Sequence, residues 1–222
     1  NSRGNFYAAQ TFNNSPDGRV VQMGWMNGGP NSADIFGVPH NKQMSFPCEL
    51  TLRTTAGGVR LFNWPIRELE SLVDGTHIFH DFSLTADTNP LAGIDGLDLL
   101  DLEVTFQPGE AAQIVFDLPH VSLRYDVAKQ QLLHEGVDEQ GNQQETITLD
   151  QLAPRDGRVS LRLLIDRLTV EAYAFGGESF GAHYIHPKQP QQEYSIHATG
   201  GAAKIKQLEV RELHTSHVGA RK

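Results

Sequence analysis

The sequence contains one cysteine, Cys48, among its 222 residues, so no disulfide can form within the chain. It has no run of about 18 consecutive apolar residues, the length that a membrane-spanning helix needs. Lys and Arg occur singly or in short pairs, and the formal net charge is -9. This balance argues against nucleic acid or an anionic membrane as a partner, because both require clustered cations.

The chain also lacks an N-terminal Met and the apolar segment of a signal peptide. We therefore expect a chain that was processed, truncated or cut from a longer protein. The lone cysteine says little about the compartment, since secreted bacterial proteins commonly do without disulfides.

The dominant pattern is an alternation of apolar and polar residues, which is typical of strands with one buried face. It recurs in residues 104–106, 121–125, 146–149, 159–163 and 205–210. Turn sequences rich in Gly, Pro, Asp and Asn separate these segments. Many short strands at this spacing predict an all-β fold of the sandwich, barrel or propeller type.

One stretch, residues 65–72, has helical spacing, and it is long enough for one or two turns. We place a domain boundary there. Four strands are predicted before it, over residues 6–12, 19–26, 49–55 and 59–63, and about ten after it, between residues 77 and 213. Four strands make one propeller blade, and ten make a two-layer sandwich. The predicted division is a blade in 1–66, a linker with a short helix in 67–75, a β-sandwich in 76–213 and a tail in 214–222.

Several motifs invite a chemical interpretation that their context does not support. Gly177-Glu178-Ser179-Phe180-Gly181 matches the nucleophile elbow of hydrolases, but strand-like residues follow it where a helix is needed. Cys48 has no His or Asn placed by a motif, so a buried structural thiol is expected.

Three histidine pairs have a spacing of three residues, which would chelate a metal on a helix but places the two rings on opposite faces of a strand. They are His77/His80, His183/His186 and His214/His217. The sequence indicates no metal site and no cofactor. Carboxylates cluster loosely between Asp81 and Asp117, and the sequence selects no catalytic pair among them.

Four ordered blocks of the sequence are distinctive: residues 5–12 (Asn-Phe-Tyr-Ala-Ala-Gln-Thr-Phe), 19–26 (Arg-Val-Val-Gln-Met-Gly-Trp-Met), 44–53 (Met-Ser-Phe-Pro-Cys-Glu-Leu-Thr-Leu-Arg) and 163–171 (Leu-Leu-Ile-Asp-Arg-Leu-Thr-Val-Glu). They resemble glycoside hydrolase family 32, which contains levanases, inulinases and invertases. The resemblance runs from about residue 5 to residue 213. It implies the last blade of a five-bladed β-propeller followed by a two-layer antiparallel β-sandwich.

The resemblance also implies a retaining hydrolase of levan, inulin or sucrose, in which one carboxylate attacks the anomeric carbon and another protonates the leaving oxygen. The family carries these groups in Trp-Met-Asn-Asp-Pro-Asn-Gly, Arg-Asp-Pro and Glu-Cys signatures, which belong to earlier blades. In this chain, Gly28 and Gly29 stand where the nucleophile signature needs its Asp, Cys48-Glu49 reverses the acid/base pair, and Arg-Asp-Pro is absent. We therefore predict no catalytic residue here and no activity for the chain alone.

The remaining candidates are substrate-binding residues: Asn5 first, which aligns with an acceptor-side residue of some family members, then Asn27, Asn41 and Trp25. An amide offers sugar hydroxyls both a donor and an acceptor. Two of the candidates have a structural alternative: Asn5 could hold its own turn, and Trp25 could belong to the core. Gly29 also stands where many family members carry a second Trp that walls the sugar site, so the resemblance does not fix linkage preference.

The expected partners are a fructan or sucrose-type carbohydrate and the missing N-terminal blades, and the expected location is extracellular or periplasmic. An alternative function is a lectin-like, fructan-binding sandwich without catalysis, for which the candidate aromatics are Tyr125, Tyr173, Tyr184 and Tyr194. A third is a sandwich that only supports the propeller or mediates dimerisation. If residues 1–70 are alone, their uncovered apolar faces predict homo-oligomers or poor solubility.

Overall fold

The computed structural model describes residues 2–29, 31–36, 41–137, 143–185 and 194–215. In this part of the chain, sixteen strands form three sheets. The strands are β1 (Ser2–Gly4), β2 (Phe6–Thr11), β3 (Val20–Met26), β4 (Cys48–Thr55), β5 (Gly58–Pro65), β6 (Val73–Leu84), β7 (Leu99–Gln107), β8 (Gln113–Leu118), β9 (Val121–Asp126), β10 (Gln131–Val137), β11 (Gln143–Leu149), β12 (Val159–Ile165), β13 (Thr169–Ala174), β14 (Ser179–Tyr184), β15 (Ser195–Thr199) and β16 (Ala203–Leu213).

Helical structure is scarce among the described residues. It consists of α1 (Ser32–Phe36) and of 3₁₀ helices at Arg67–Leu72 and Phe175–Gly177. The first of these 3₁₀ helices lies in the predicted linker, where one or two helical turns were expected. Within the described ranges, no helix combines the length and apolar character needed to cross a bilayer.

The first sheet contains β2, β3, β4 and β5 in chain order, all antiparallel. These are the four strands predicted before the linker, and their bounds agree within two residues. On one face, Val20 lies opposite Leu50 and Leu52 lies opposite Leu61. We call this sheet the N-terminal sheet.

The other two sheets pack face to face as a sandwich. The large sheet has the order β1-β14-β13-β12-β7-β16-β6, and the small sheet has the order β11-β10-β9-β8-β15. Predicted alternation is confirmed in β9, where residues alternate between buried and half-buried. The inward side chains form one apolar core, within which the Phe106 and Tyr125 rings meet edge to face at 5.3 Å.

Strand β1 is a departure from the expected antiparallel sandwich. Ser2–Gly4 pairs in parallel with β14 at the edge of the large sheet, although the predicted division places these residues with the blade. The chain therefore starts on the sandwich and crosses to the N-terminal sheet at Asn5. Gly4 allows this crossing, because a Cβ there would lie 2.2 Å from the Ala182 carbonyl oxygen.

The N-terminal sheet covers the outer face of the large sheet. All six residues of β13 are buried, because alternate side chains face the sandwich core and the N-terminal sheet. A second apolar cluster fills this junction. It comprises Met26, Cys48, Leu69, Leu164, Leu168, Tyr173, Phe180, Ala182 and Tyr184.

Gly177 is where the sandwich approaches the backbone of β5 most closely. Its φ is +95, and an added Cβ would lie 2.0 Å from the carbonyl oxygen of Asn63. Gly177→Ala is therefore expected to destabilise the chain by more than the roughly 1–2 kcal/mol that a positive φ alone costs. The matched control is Gly18→Ala, whose φ is +72 with nothing near the added Cβ. Equal unfolding midpoints in urea for the two variants would refute a steric role for this contact.

Candidate functional site

The four predicted substrate-binding residues lie at one end of the N-terminal sheet. Asn5 precedes β2, Trp25 lies near the end of β3, Asn27 follows that strand, and Asn41 lies in the loop from β3 to β4. Antiparallel pairing of β2 with β3 brings the first three together, since Phe6 is opposite Met26 and Tyr7 is opposite Trp25. Their role in substrate binding stays a prediction.

Asn5 is held by four hydrogen bonds. Its backbone N–H donates to Ala182 O (2.7 Å), and its backbone oxygen accepts from Asn27 N (2.8 Å). Its Nδ2 donates to Asn27 O (2.7 Å), and its Oδ1 accepts from Tyr184 N (3.0 Å). One N–H of the amide is left for a ligand. The Asn5 amide therefore joins the start of the β3–β4 loop to the sandwich, which differs from the structural alternative in which Asn5 holds its own turn.

Trp25 is at the surface and not in the core that its apolar strand suggested. It is 38% exposed, and its ring lies 6.1 Å from the ring of Tyr7, which is 57% exposed. Met44, also exposed, pairs with Trp25 from the end of the loop. The ring of Phe6 packs on Gly24, the residue before Trp25. Because successive residues of a strand point to opposite faces, Trp25 lies on the face that Phe6 does not cover.

The β3–β4 loop contains a feature that the sequence analysis missed, the helix α1. Its signal is Asn31, whose Oδ1 accepts from Ala33 N (3.0 Å) in the manner of an N-cap. Lys42 ties the two ends of the loop together, because its Nζ donates to Gly28 O (2.8 Å) and Gly29 O (3.0 Å). Asn41 is exposed, and its Oδ1 accepts from the backbone of Lys42 (2.9 Å).

The glycines of this loop explain the near-match to the nucleophile signature. Gly28 and Gly29 have φ of +75 and +71, a conformation that favours glycine. A Cβ on Gly29 would also lie 2.0 Å from the ring of Tyr184. Both positions therefore serve the turn after β3.

The two possible nucleophiles are in structural positions. Ser179 begins β14 and has a 3₁₀ turn before it, so the strand–turn–helix context of a nucleophile elbow is missing. Cys48 is buried and lies 3.3 Å from the Tyr173 hydroxyl. Burial, together with the nearby Glu171 carboxyl, raises the pKa of the Cys48 thiol to about 12. A thiol in this environment is unreactive.

The histidines have separate partners. The ring of His77 meets Glu212 (2.8 Å), and that of His214 meets Asp74 (3.2 Å). His183 is buried, with its ring 5.0 Å from that of His134. His186 and His217 lie outside the described residues. Among the residues described, no group of three or more His, Cys, Asp or Glu could hold a metal.

Most of the clustered carboxylates are paired with cations. Asp81 binds Lys206 (2.5 Å), and Asp98 meets both His120 and Arg167. Asp101 is buried and binds Arg162 and Arg211 (2.7 and 2.6 Å).

Glu171 is a buried carboxyl that the sequence analysis did not single out. It accepts hydrogen bonds from Phe46 N and the Tyr173 hydroxyl, both at 2.7 Å. Burial raises the pKa of Glu171 to about 7. Its position at the junction of the sheets makes it a structural group.

None of the four tyrosines considered for a sugar-binding sandwich face is exposed. Tyr125, Tyr173 and Tyr184 are buried, and Tyr194 is half-buried against the core. The exposed aromatic pair, Tyr7 and Trp25, is on the N-terminal sheet instead. Together with the exposed amides of Asn27 and Asn41, this end of the sheet has groups suited to a ligand rich in hydroxyls.

Two models of known protein families match this chain. The model described as "Glycosyl hydrolases family 32 C terminal" matches residues 68–212, and that described as "Glycosyl hydrolases family 32 N-terminal domain" matches residues 2–65. The chain belongs to glycoside hydrolase family 32.

Relatives and solved structures agree with this assignment. A levanase of Bacillus subtilis strain 168 is 28% identical over 94% of this family 32 chain and 33% of its own length. An extracellular exo-inulinase of Aspergillus niger is 25% identical over 94% of this chain and 41% of its own length. The structure of an exo-inulinase from Aspergillus awamori matches with a TM-score of 0.73 at 21% identity, covering 96% of this chain and 44% of that one.

The fold is the predicted one: the N-terminal sheet is the last propeller blade, and the β-sandwich follows it. The chain spans only about a third to two-fifths of these curated relatives.

Proposed function

We propose that this chain is the C-terminal part of a retaining β-fructofuranosidase acting on levan, inulin or sucrose. It contributes the last blade and a supporting sandwich, while the catalytic carboxylates belong to blades upstream. The curated relatives named levanase and exo-inulinase support the substrate class. The proposed division near residue 66 is supported by the family models, which match residues 2–65 and 68–212.

The observation that carries this proposal is the blade's uncovered surface. On one face, exposed apolar side chains come from three adjacent strands: Val20, Leu52, Val59 and Leu61, with Leu52 73% exposed. Tyr7, Trp25 and Met44 are also exposed, at the end of the sheet where the β3–β4 loop begins. Exposed apolar groups of this extent suit a blade that is covered by other blades.

The chain alone is expected to release no fructose from levan, inulin or sucrose, because it lacks the paired carboxylates of the family. It should also self-associate, which sedimentation velocity would show as a mass above that of a 24.6 kDa monomer. The coding sequence upstream of Asn1 should contain Trp-Met-Asn-Asp-Pro-Asn-Gly, Arg-Asp-Pro and Glu-Cys. Turnover by the purified chain that persists in an Asn5→Ala variant would contradict the proposal.

We also expect secretion, in line with the relative described as an extracellular exo-inulinase. Fructan binding by the sandwich stays a separate prediction. Its simplest test is retardation in a levan-containing gel.

A further inference from the structure

A single hydroxyl of the sandwich contacts both ends of the β3–β4 loop. The Tyr184 hydroxyl on β14 donates to Met26 O (3.1 Å), where the loop begins, and accepts from Gln43 N (3.3 Å), where it ends. These two residues are also joined directly, by Met26 N donating to Gln43 O (3.0 Å). Three hydrogen bonds therefore join Met26, Gln43 and the Tyr184 hydroxyl, in addition to the two that Lys42 donates to Gly28 O and Gly29 O.

The ring of Tyr184 supports the loop as well. It packs on Gly29 so closely that no side chain fits there. The Tyr184 backbone N–H donates to Asn5 Oδ1, and Asn5 Nδ2 in turn donates to Asn27 O. One residue of the sandwich thus fixes Met26, Asn27, Gly29 and Gln43 through its ring, hydroxyl and backbone.

We propose that Tyr184 is a positioning residue through which the sandwich sets the conformation of the β3–β4 loop and so the chain-length preference of the enzyme. This inference rests on the proposed function, in which that end of the blade borders the substrate. The loop carries the exposed Asn27 and Asn41 and begins beside the exposed Trp25. Moving its base would shift these groups relative to sugar units beyond the cleaved bond, while the upstream carboxylates would stay in place.

The first test uses hydrogen exchange on the 222-residue chain. Tyr184→Phe keeps the ring over Gly29 and removes only the hydroxyl, so the fold should be retained. We expect amides of residues 27–29, 31–36 and 41–44 to exchange about tenfold faster, because the two hydrogen bonds of the Tyr184 hydroxyl to the loop are lost. Tyr125→Phe is the matched control, because it also loses a buried hydroxyl bond, to Leu152 O (2.9 Å), but within the sandwich core. Unchanged loop exchange in Tyr184→Phe would overturn the positioning role.

The second test uses the polypeptide in which this chain follows its upstream blades. Tyr184→Phe should raise KM for levan or inulin oligomers several-fold, with kcat within twofold and with KM for sucrose little changed. Gly29→Ala should give the same pattern from the loop side, since its Cβ would collide with the ring. Equal changes in KM for sucrose and for long fructans would overturn the link to chain length. Failure of the wild-type polypeptide to cleave any fructan would instead refute the proposed function, and the exchange experiment would still decide whether Tyr184 anchors the loop.

Discussion

Asp101→Ala is expected to lower the free energy of unfolding by about 3–5 kcal/mol, the usual cost of leaving a buried charge without its partner. Asp101 is 2% exposed and accepts three charged hydrogen bonds. Two come from Arg162 (2.8 and 2.7 Å) and one from Arg211 (2.6 Å). Its removal leaves the buried Arg162 with only a longer contact to Glu103 (3.5 Å), whereas Arg211 keeps Glu103 (3.0 Å) and Glu209 (2.8 Å).

The blade covers part of this ion cluster. Trp64 of β5 lies over Arg162, with 5.1 Å between the guanidinium carbon and the ring centroid. Loss of Asp101 should therefore loosen the junction between blade and sandwich as well as the large sheet. Trp64 fluorescence, followed during urea unfolding at pH 7 in a Trp25→Phe background, reports on both.

The matched control is Asp81→Ala, which breaks an ion pair of similar length with Lys206 at the surface. Exposed pairs contribute about 0–1 kcal/mol, so this variant should unfold close to wild type. A second check replaces the pair together, as Asp101→Leu with Arg162→Met, which should recover much of the loss because no charge is stranded between those two residues. If Asp101→Ala costs no more than Asp81→Ala, the cluster is not buried in solution as the structure describes.

The all-β class and the four blade strands could be predicted from the sequence because alternation and turn residues are local signals. The bounds of β2 to β5 agree with that prediction within two residues. Strand β1 could not be predicted in the same way. Its three residues acquire their place by pairing with β14, about 180 residues away, and no local pattern encodes a contact of that separation.

The candidate site shows the same limit. Sequence reasoning named Asn5, Asn27, Asn41 and Trp25 as substrate-binding candidates, and antiparallel pairing brings the first two into contact. It did not reveal that Tyr184 of the sandwich holds their loop. It left open whether Trp25 is exposed or in the core, because burial in a blade depends on the neighbouring strands and on what packs against each face.

Glu171→Gln is expected to make the chain more stable at neutral and alkaline pH and to flatten the dependence of its stability on pH. Burial raises the pKa of Glu171 from 4.5 to about 7. A carboxyl with a raised pKa binds its proton more tightly when folded, so stability is greatest below the unfolded pKa and is lost as pH rises towards 7. A pKa difference of this size corresponds to about 3 kcal/mol of folding stability, and this stability is fully lost above pH 7.

The neighbouring Tyr173 and Cys48 do not contribute to this dependence of stability on pH. Tyr173 and Cys48 stay neutral across the range, because burial raises the pKa of both well above 8. The nearby Asp166 adds only a weak raising effect on the pKa of Glu171. The amide of Gln still accepts from Phe46 N and can donate to the Tyr173 hydroxyl, so the hydrogen bonds at the junction survive the substitution.

A separate buried group acts in the opposite direction. Burial and the neighbouring His183 lower the pKa of His134 to about 3. The folded protein therefore loses stability as pH falls below about 6.5, the pKa of this histidine in the unfolded chain. This contribution is common to wild type and variant and cancels in their difference. Urea unfolding of both proteins between pH 5 and 8.5 should therefore show a difference in unfolding free energy that grows by up to about 3 kcal/mol with rising pH. Parallel pH profiles would mean that Glu171 is solvated and that the blade does not close over it.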